Sequence, residues 1–289
     1  MAEFWILLAG VLCGASCGLI GAFLILRRQA ILADAISHSV LPGIALAFLI
    51  FSSRQSPVML VGAAAFGLLT VFIVELLQRN GRLQSDAVIG VTFTALFAFG
   101  VLLISVYGRA VDLDQDCVLF GEIALVPWDR IVFGGRDIGP KAIWSLGASL
   151  IVNLVFVAAF YKELKITTFD PLLARSLGIR TRLMQYGFMA CVSLTAVAAF
   201  ESVGAILVVA LLVVPPAAAF LLTTRLSTML FLSAGIGAAS AVGGYYSAAP
   251  FDVSIAGMMA VVAGVVFLAA ALWSVWQKKN LSAVERPSL

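Results

Sequence analysis

The sequence predicts an all-α, polytopic membrane protein, and three observations carry that prediction. Apolar residues make up 62% of the 289-residue chain and charged residues 11%, about half the charged share of a soluble domain. The apolar residues fall into long runs, and about 20 such residues make one helix that crosses a bilayer. The runs are continuous, unlike the roughly ten-residue alternating strands of a membrane barrel.

Nine runs are long enough, at approximately 4–26, 30–51, 56–78, 86–107, 141–161, 184–202, 204–224, 227–247 and 253–276. Gly, Ala and Ser punctuate nearly all of them, which favours close helix packing in lipid. Eight spans is the alternative count, because the join from Glu201 to Gly204 is short and Pro215-Pro216 interrupts the next run. The first run is too long for a cleaved signal, lacks a basic leader and leads straight into a second span, so it is read as a helix of the protein. Residues 1–280 then form one transmembrane domain, followed by a tail at 281–289.

Positive charge orients the bundle. With the N-terminus outside, the cytoplasmic segments are Arg27-Arg28, Arg79 to Arg82, Lys162 to Arg182, Arg225 and the tail from Lys278, and they hold 13 of the 18 Lys and Arg residues. That asymmetry follows the positive-inside rule. The net charge of +3 is explained by these loops and the lipid headgroups they face, and gives no sign of nucleic-acid binding. The four cysteines (Cys13, Cys17, Cys117 and Cys191) form no CxxC or Cys/His cluster, so they read as small packing residues rather than a zinc site.

Against this apolar background, Asp34 and His38 stand inside the second run, and His38 is the single histidine of the chain. Ionisable residues within a membrane span are costly and are functional candidates. Residues four apart share a helix face, so carboxylate and imidazole can reach one ion. That donor pair suits zinc, manganese or iron. Ten residues separate Arg28 from His38, about 15 Å along a helix and close to the bilayer midplane. The competing reading is a hydrogen-bonded pair that locks two helices. Other ionisable or polar positions read more plainly: Glu201 is a weaker metal candidate at the outer end of the sixth span, Asp252 a cap for the last span, and Asn153 an interhelical hydrogen-bonding group.

Two segments lie outside the spans. Residues 108–140, with Asp112, Asp114, Asp116, Glu122 and Trp128, make an extracytoplasmic excursion suited to meeting a partner. Residues 162–182 make the longest cytoplasmic insertion, in which Thr168 or Asp170 can cap a short helix, Pro171 occupies its first turn and Gly178 ends it. So short a helix between spans is best explained as a docking element for another subunit.

Three segments resemble the membrane permeases of metal-ion ABC importers, the ABC-3 family. The first runs from Leu26 through Asp34-Ala-Ile-Ser-His38-Ser-Val-Leu-Pro42-Gly43; the second is Phe169-Asp170-Pro171 through Ala174 to Gly178-Ile179; the third is Val203-Gly204-Ala205-Ile206-Leu207 onward to Pro215-Pro216-Ala217-Ala218, with one proline more than the family pattern. The resemblance implies a fold like that of the vitamin B12 and siderophore importer permeases. It implies import of zinc, manganese or iron across a bacterial cytoplasmic membrane, with Asp34 and His38 lining the path and no permanently bound cofactor. It also implies three partners beside membrane lipid: a dimer of cytoplasmic ATPases, a second permease copy or sister chain, and an extracytoplasmic metal-binding lipoprotein. The ATPase would dock on Asp170, Pro171, Leu172, Leu173, Ala174, Leu177 and Gly178. The chain itself has no Gly-x-x-x-x-Gly-Lys-Ser/Thr loop, so ATP hydrolysis is expected from another polypeptide.

Two other functional classes fit the sequence less well. An intramembrane protease is disfavoured, because one histidine rules out His-Glu-x-x-His and Ser37 has no Gly-x-Ser-x-Gly setting. A proton-coupled secondary transporter using Asp34 and His38 as a relay is the alternative, although no internal repeat of the kind such folds carry is evident.

Overall fold

The computed structural model describes residues 2–51, 56–80, 84–107, 123–133 and 136–284. Eleven α-helices and one hairpin follow in chain order among these residues: α1 (Ala2–Leu26), α2 (Ala30–Phe51), α3 (Ser56–Asn80), α4 (Ser85–Tyr107), β1 (Arg130–Phe133), β2 (Arg136–Pro140), α5 (Lys141–Ala159), α6 (Tyr161–Phe169), α7 (Pro171–Ser176), α8 (Thr181–Val203), α9 (Ala205–Leu222), α10 (Leu226–Ala248) and α11 (Ile255–Val284). Eight of these helices are long and apolar enough to cross a membrane, and α9 is a shorter apolar helix. Its 18 residues rise about 27 Å, just under the ~30 Å hydrocarbon thickness.

Contacts fix the helix directions. Glu201, near the end of α8, pairs with Lys141 at the start of α5. At the opposite end of the bundle, Arg27 bonds Thr167, Thr168 and Gln185. Along α1, Gly18 meets Ser233 and Gly10 meets Ala241, so α10 begins at the Arg27 end. The chain must therefore traverse the bundle through α9 to join α8 to α10. The nine apolar runs of the sequence thus correspond to nine helical passages among the described residues.

The centre is a seam of small residues. Gly10, Gly14 and Gly18 recur every four positions on α1, the spacing that lets membrane helices approach backbone to backbone. A Cβ on Gly14 would collide with the carbonyl of Gly237 on α10, and Ser233 Oγ donates to the Gly18 carbonyl at 2.6 Å. One turn further, Gly21 packs against the Leu212 carbonyl of α9. Pro216 stands four residues beyond Leu212 and has no N–H to give that carbonyl, so the double proline opens a backbone oxygen where α1 comes closest. Cys13 and Cys17 lie fully buried in the same region with sulfurs 3.9 Å apart.

Polar groups buried among α1, α5 and α8 find one another. Asn153 Nδ2 donates to Ser16 Oγ at 2.9 Å and to Thr195 Oγ1 at 2.7 Å, the interhelical role its sequence position suggests. α1 ends without a glycine: Arg28 adopts φ 57° and Gln29 N–H donates to the Leu24 carbonyl at 2.9 Å. A left-handed non-glycine residue costs roughly 1–2 kcal/mol, so the turn that launches α2 is held against a local penalty.

Outside the bundle, β1 and β2 pair antiparallel with an irregularity between Ile131 and Val132, a small strand element that the all-helical expectation omitted. Arg130 pairs with Asp137 across it, and Trp128 beside it is 82% exposed. Asp112, Asp114, Asp116, Cys117 and Glu122 lie outside the described residues. Asp252 does not cap the last span. It takes φ 50° in the preceding turn, and Ser254 Oγ accepts from Gly257 N–H at 3.3 Å, the cap-to-third-residue spacing that Asp252, five residues before that N–H, does not have.

Candidate metal centre and coupling face

α2 is wedged into place by the residues that follow His38. Pro42 packs against Gly100 of α4, and Gly43 lies against the Gly62 carbonyl of α3, so closely that a Cβ at Gly43 or Gly100 would overlap its neighbour. Pro42 also carries no N–H for the carbonyl four residues back, which belongs to His38. The Leu-Pro-Gly sequence therefore sets the helix against two neighbours and removes the usual i+4 donor from the His38 main chain.

On this helix His38 Nε2 stands 3.5 Å from Asp34 Oδ1. The imidazole stacks on Phe93 (5.6 Å between ring centres, 28° apart) and meets the edge of Phe97 at 5.8 Å, both on α4. Aromatic contacts on its flat sides leave the ring nitrogens to polar partners. The two side chains are 38% and 42% exposed for His38 and Asp34, so the pair opens to the surroundings of the chain rather than being sealed within it. Among the described residues no group of three or more His, Cys, Asp or Glu side chains is positioned to hold a metal. A single chain thus offers two side-chain donors at this place, where zinc in protein sites takes about four. Glu201 lies elsewhere, in its ion pair with Lys141.

The segment between α5 and α8 contains two helices, not one. α6 was not foreseen, because its nine residues Tyr161–Phe169 mix charged and apolar side chains without a clear period. α7 carries the expected signals. Asp170 Oδ1 accepts from Leu173 N–H at 2.9 Å, with Pro171 at the first turn, so Asp170 is the cap and Thr168 is not. Gly178 takes φ 76°, and Ile179 N–H closes on the Ala174 carbonyl at 3.0 Å, a left-handed helix ending that glycine makes cheap. Leu172, Leu173 and Leu177 are 76%, 47% and 60% exposed while Ala174 is fully buried. Three exposed leucines on so small an element make an apolar patch outside the spans.

Comparison with known proteins settles the family. Residues 2–274 match the ABC 3 transport family. The chain belongs to this family. The manganese transport system membrane protein MntD of Bacillus subtilis is 57% identical over 272 residues, covering 94% of this chain and 92% of that protein. The zinc transport system membrane protein TroD of Treponema pallidum is 46% identical over 269 residues, covering 93% and 73% respectively. Among solved structures, PsaBC from Streptococcus pneumoniae in complex with Fab shares 33% identity with a TM-score of 0.76, over 92% of this chain and 89% of that one. An inward-facing putative metal-chelate type ABC transporter, at 16% identity and TM-score 0.64 over 93% and 85%, shares the fold. The ABC 3 chain described here is a multi-pass permease of the bacterial cytoplasmic membrane.

Proposed function

We propose that this permease moves a divalent transition metal, manganese first, from an extracytoplasmic binding protein into the cytoplasm, using ATP hydrolysed by a separate subunit docked on α7. The observation that carries this reading is the open Asp34–His38 pair set inside an apolar helix. A fixed structural pair would be enclosed and saturated, whereas this one leaves donor capacity facing outward. Bringing a second permease copy against it doubles the donors. The His38 carbonyl, relieved of its i+4 donor by Pro42, adds a neutral oxygen. Carboxylate, carbonyl and imidazole without thiolate suit Mn²⁺, and weak, shared coordination lets a transported ion leave as well as bind. The name of the 57% identical relative supports manganese; the name of TroD supports zinc as the second reading. Iron, which the same donors accept, is the third competitor.

The exposed leucines of α7 support the ATPase assignment, since a rigid cap at Asp170 and a glycine stop at Gly178 present them as one small ridge. The deciding measurement is radioactive Mn²⁺ uptake by the reconstituted complex, with Zn²⁺ and Fe²⁺ as competitors, with and without ATP. Uptake that ignores ATP and follows a pH gradient would instead establish the proton-coupled secondary transporter.

A further inference from the structure

Arg27 is the only side chain of the α1–α2 turn for which bonds reach both α6 and α8 among the described residues. Its Nε donates to Thr168 Oγ1 at 3.1 Å, its Nη2 to Thr167 Oγ1 at 3.2 Å and its Nη1 to Gln185 Oε1 at 2.5 Å. Its central carbon lies 4.6 Å from the centre of the Phe188 ring. The acceptors are prepared for it. Thr167 spends its own hydroxyl proton on the Glu163 carbonyl at 2.8 Å, leaving lone pairs for the guanidinium. Gln185 has its amide orientation set by donating Nε2 to Gln29 Oε1 at 3.2 Å. No carboxylate pairs with Arg27 among the described residues, and burial alone lowers its pKa to about 10, which still leaves it charged at neutral pH. A fixed planar fork that satisfies three acceptors at once is a geometry arginine supplies and lysine does not.

The location gives the contact its meaning. Thr167 and Thr168 lie in the last turn of α6, two to three residues before Asp170, the cap of α7, and Arg27 stands three residues before Ala30, where α2 begins. We propose that Arg27 is a positioning residue that fastens the coupling segment to the corner from which α2 departs, so that displacement of α7 by the ATPase is carried to Asp34 and His38. The inference rests on reading the chain as an ATP-coupled permease. The turn itself is suited to transmission, because left-handed Arg28 makes it a defined corner rather than a slack loop.

The test uses the complete complex, permease with its ATPase and binding protein, in proteoliposomes, and reads Mn²⁺ ions imported per ATP hydrolysed. Arg27→Gln is expected to lower that ratio about tenfold while hydrolysis stays within about twofold of wild type and equilibrium Mn²⁺ affinity of the purified permease is unchanged. Arg27→Lys should recover part of the ratio. The paired change Thr167→Val with Thr168→Val, which leaves arginine in place, should lower the ratio in the same direction and add little on top of Arg27→Gln, the non-additivity expected of one connected network. This pair decides the matter should Arg27→Gln fail to assemble. A wild-type ratio in the threonine variant, or a loss of Mn²⁺ affinity in parallel with the loss of transport, overturns the proposal. Absence of ATP-dependent uptake by the wild-type complex would overturn the proposed function instead.

Discussion

Two halves of the bundle are built on opposite terms. In α1 and α8, 72% and 61% of the most apolar window is buried within the chain, whereas in α3 and α4 it is 28%. The first half is a backbone-to-backbone seam of glycines and a shared polar knot around Asn153. The second is a thin wall in which α2 is pinned by Pro42 and Gly43 and leaves Asp34 and His38 partly open. The contrast lies in α1 and α8 against α3 and α4, and it leaves the Asp34–His38 pair on the side of the molecule that the chain encloses less.

The largest expected effect breaks the frame. Gly14→Leu should abolish accumulation of folded, monodisperse protein, because its side chain must occupy the space of the Gly237 backbone; overpacking alone costs about 1–3 kcal/mol and a backbone collision more. Gly147→Leu on α5, where nothing lies within 4 Å, should accumulate like wild type. Fluorescence-detected size exclusion of both variants checks this contrast, and equal profiles would mean the seam is not the frame.

The second prediction breaks the wall without breaking the frame. Asp34→Ala and His38→Ala should each reduce Mn²⁺ uptake to background while the protein inserts and assembles normally, since each side chain is partly exposed. Near-normal uptake by a well-assembled Asp34→Ala variant would return the pair to a structural role.

How far these features were readable follows from their physical range. The spans, the charge asymmetry, the Asp34–His38 pair and the Asp170–Pro171–Gly178 punctuation are local in sequence, and each has a mechanism that needs no partner. The Gly14–Gly237 contact is not local. The glycine spacing of α1 is visible, but which helix fills it is decided by packing over more than 200 residues of chain. Arg28 ends α1 in a conformation that sequence rules reserve for glycine, because tertiary contacts at the corner outweigh the local cost. Asp252 misled for a related reason: the helix starts at Ile255, three residues later than Asp252, and Ser254 is the oxygen at the right spacing. α6 was missed because its helix is held by Leu164, which is fully buried, and by the Arg27 contacts, neither of which shows as a period.

The third prediction concerns the exposed leucines of α7, which packs on α6 and α8 rather than on the wall. Leu173→Asp should leave the spans intact and lower metal-stimulated ATP hydrolysis by the assembled complex about tenfold, the loss expected when a charge is placed in a small apolar contact. Hydrolysis still fully stimulated by the metal-loaded binding protein would remove α7 from the ATPase interface.

The smallest effect is also the most specific to the chemistry. An imidazole must be neutral to give its lone pair to a metal, so protons compete with the ion at His38. Protonation grows as pH falls, and affinity must therefore fall in the same direction. Once the imidazole is fully neutral the competition vanishes and affinity levels off. Equilibrium Mn²⁺ binding to the purified permease dimer, without the binding protein, should show this decline together with proton release on binding near neutral pH. The frame half has no part in the response, so Asn153→Ala should leave the midpoint where it is even if it weakens the fold. A wild-type affinity that is flat from about pH 5 to 8, the range in which histidine titrates, would exclude His38 as a ligand and leave the carboxylate and carbonyl oxygens to bind the ion without it.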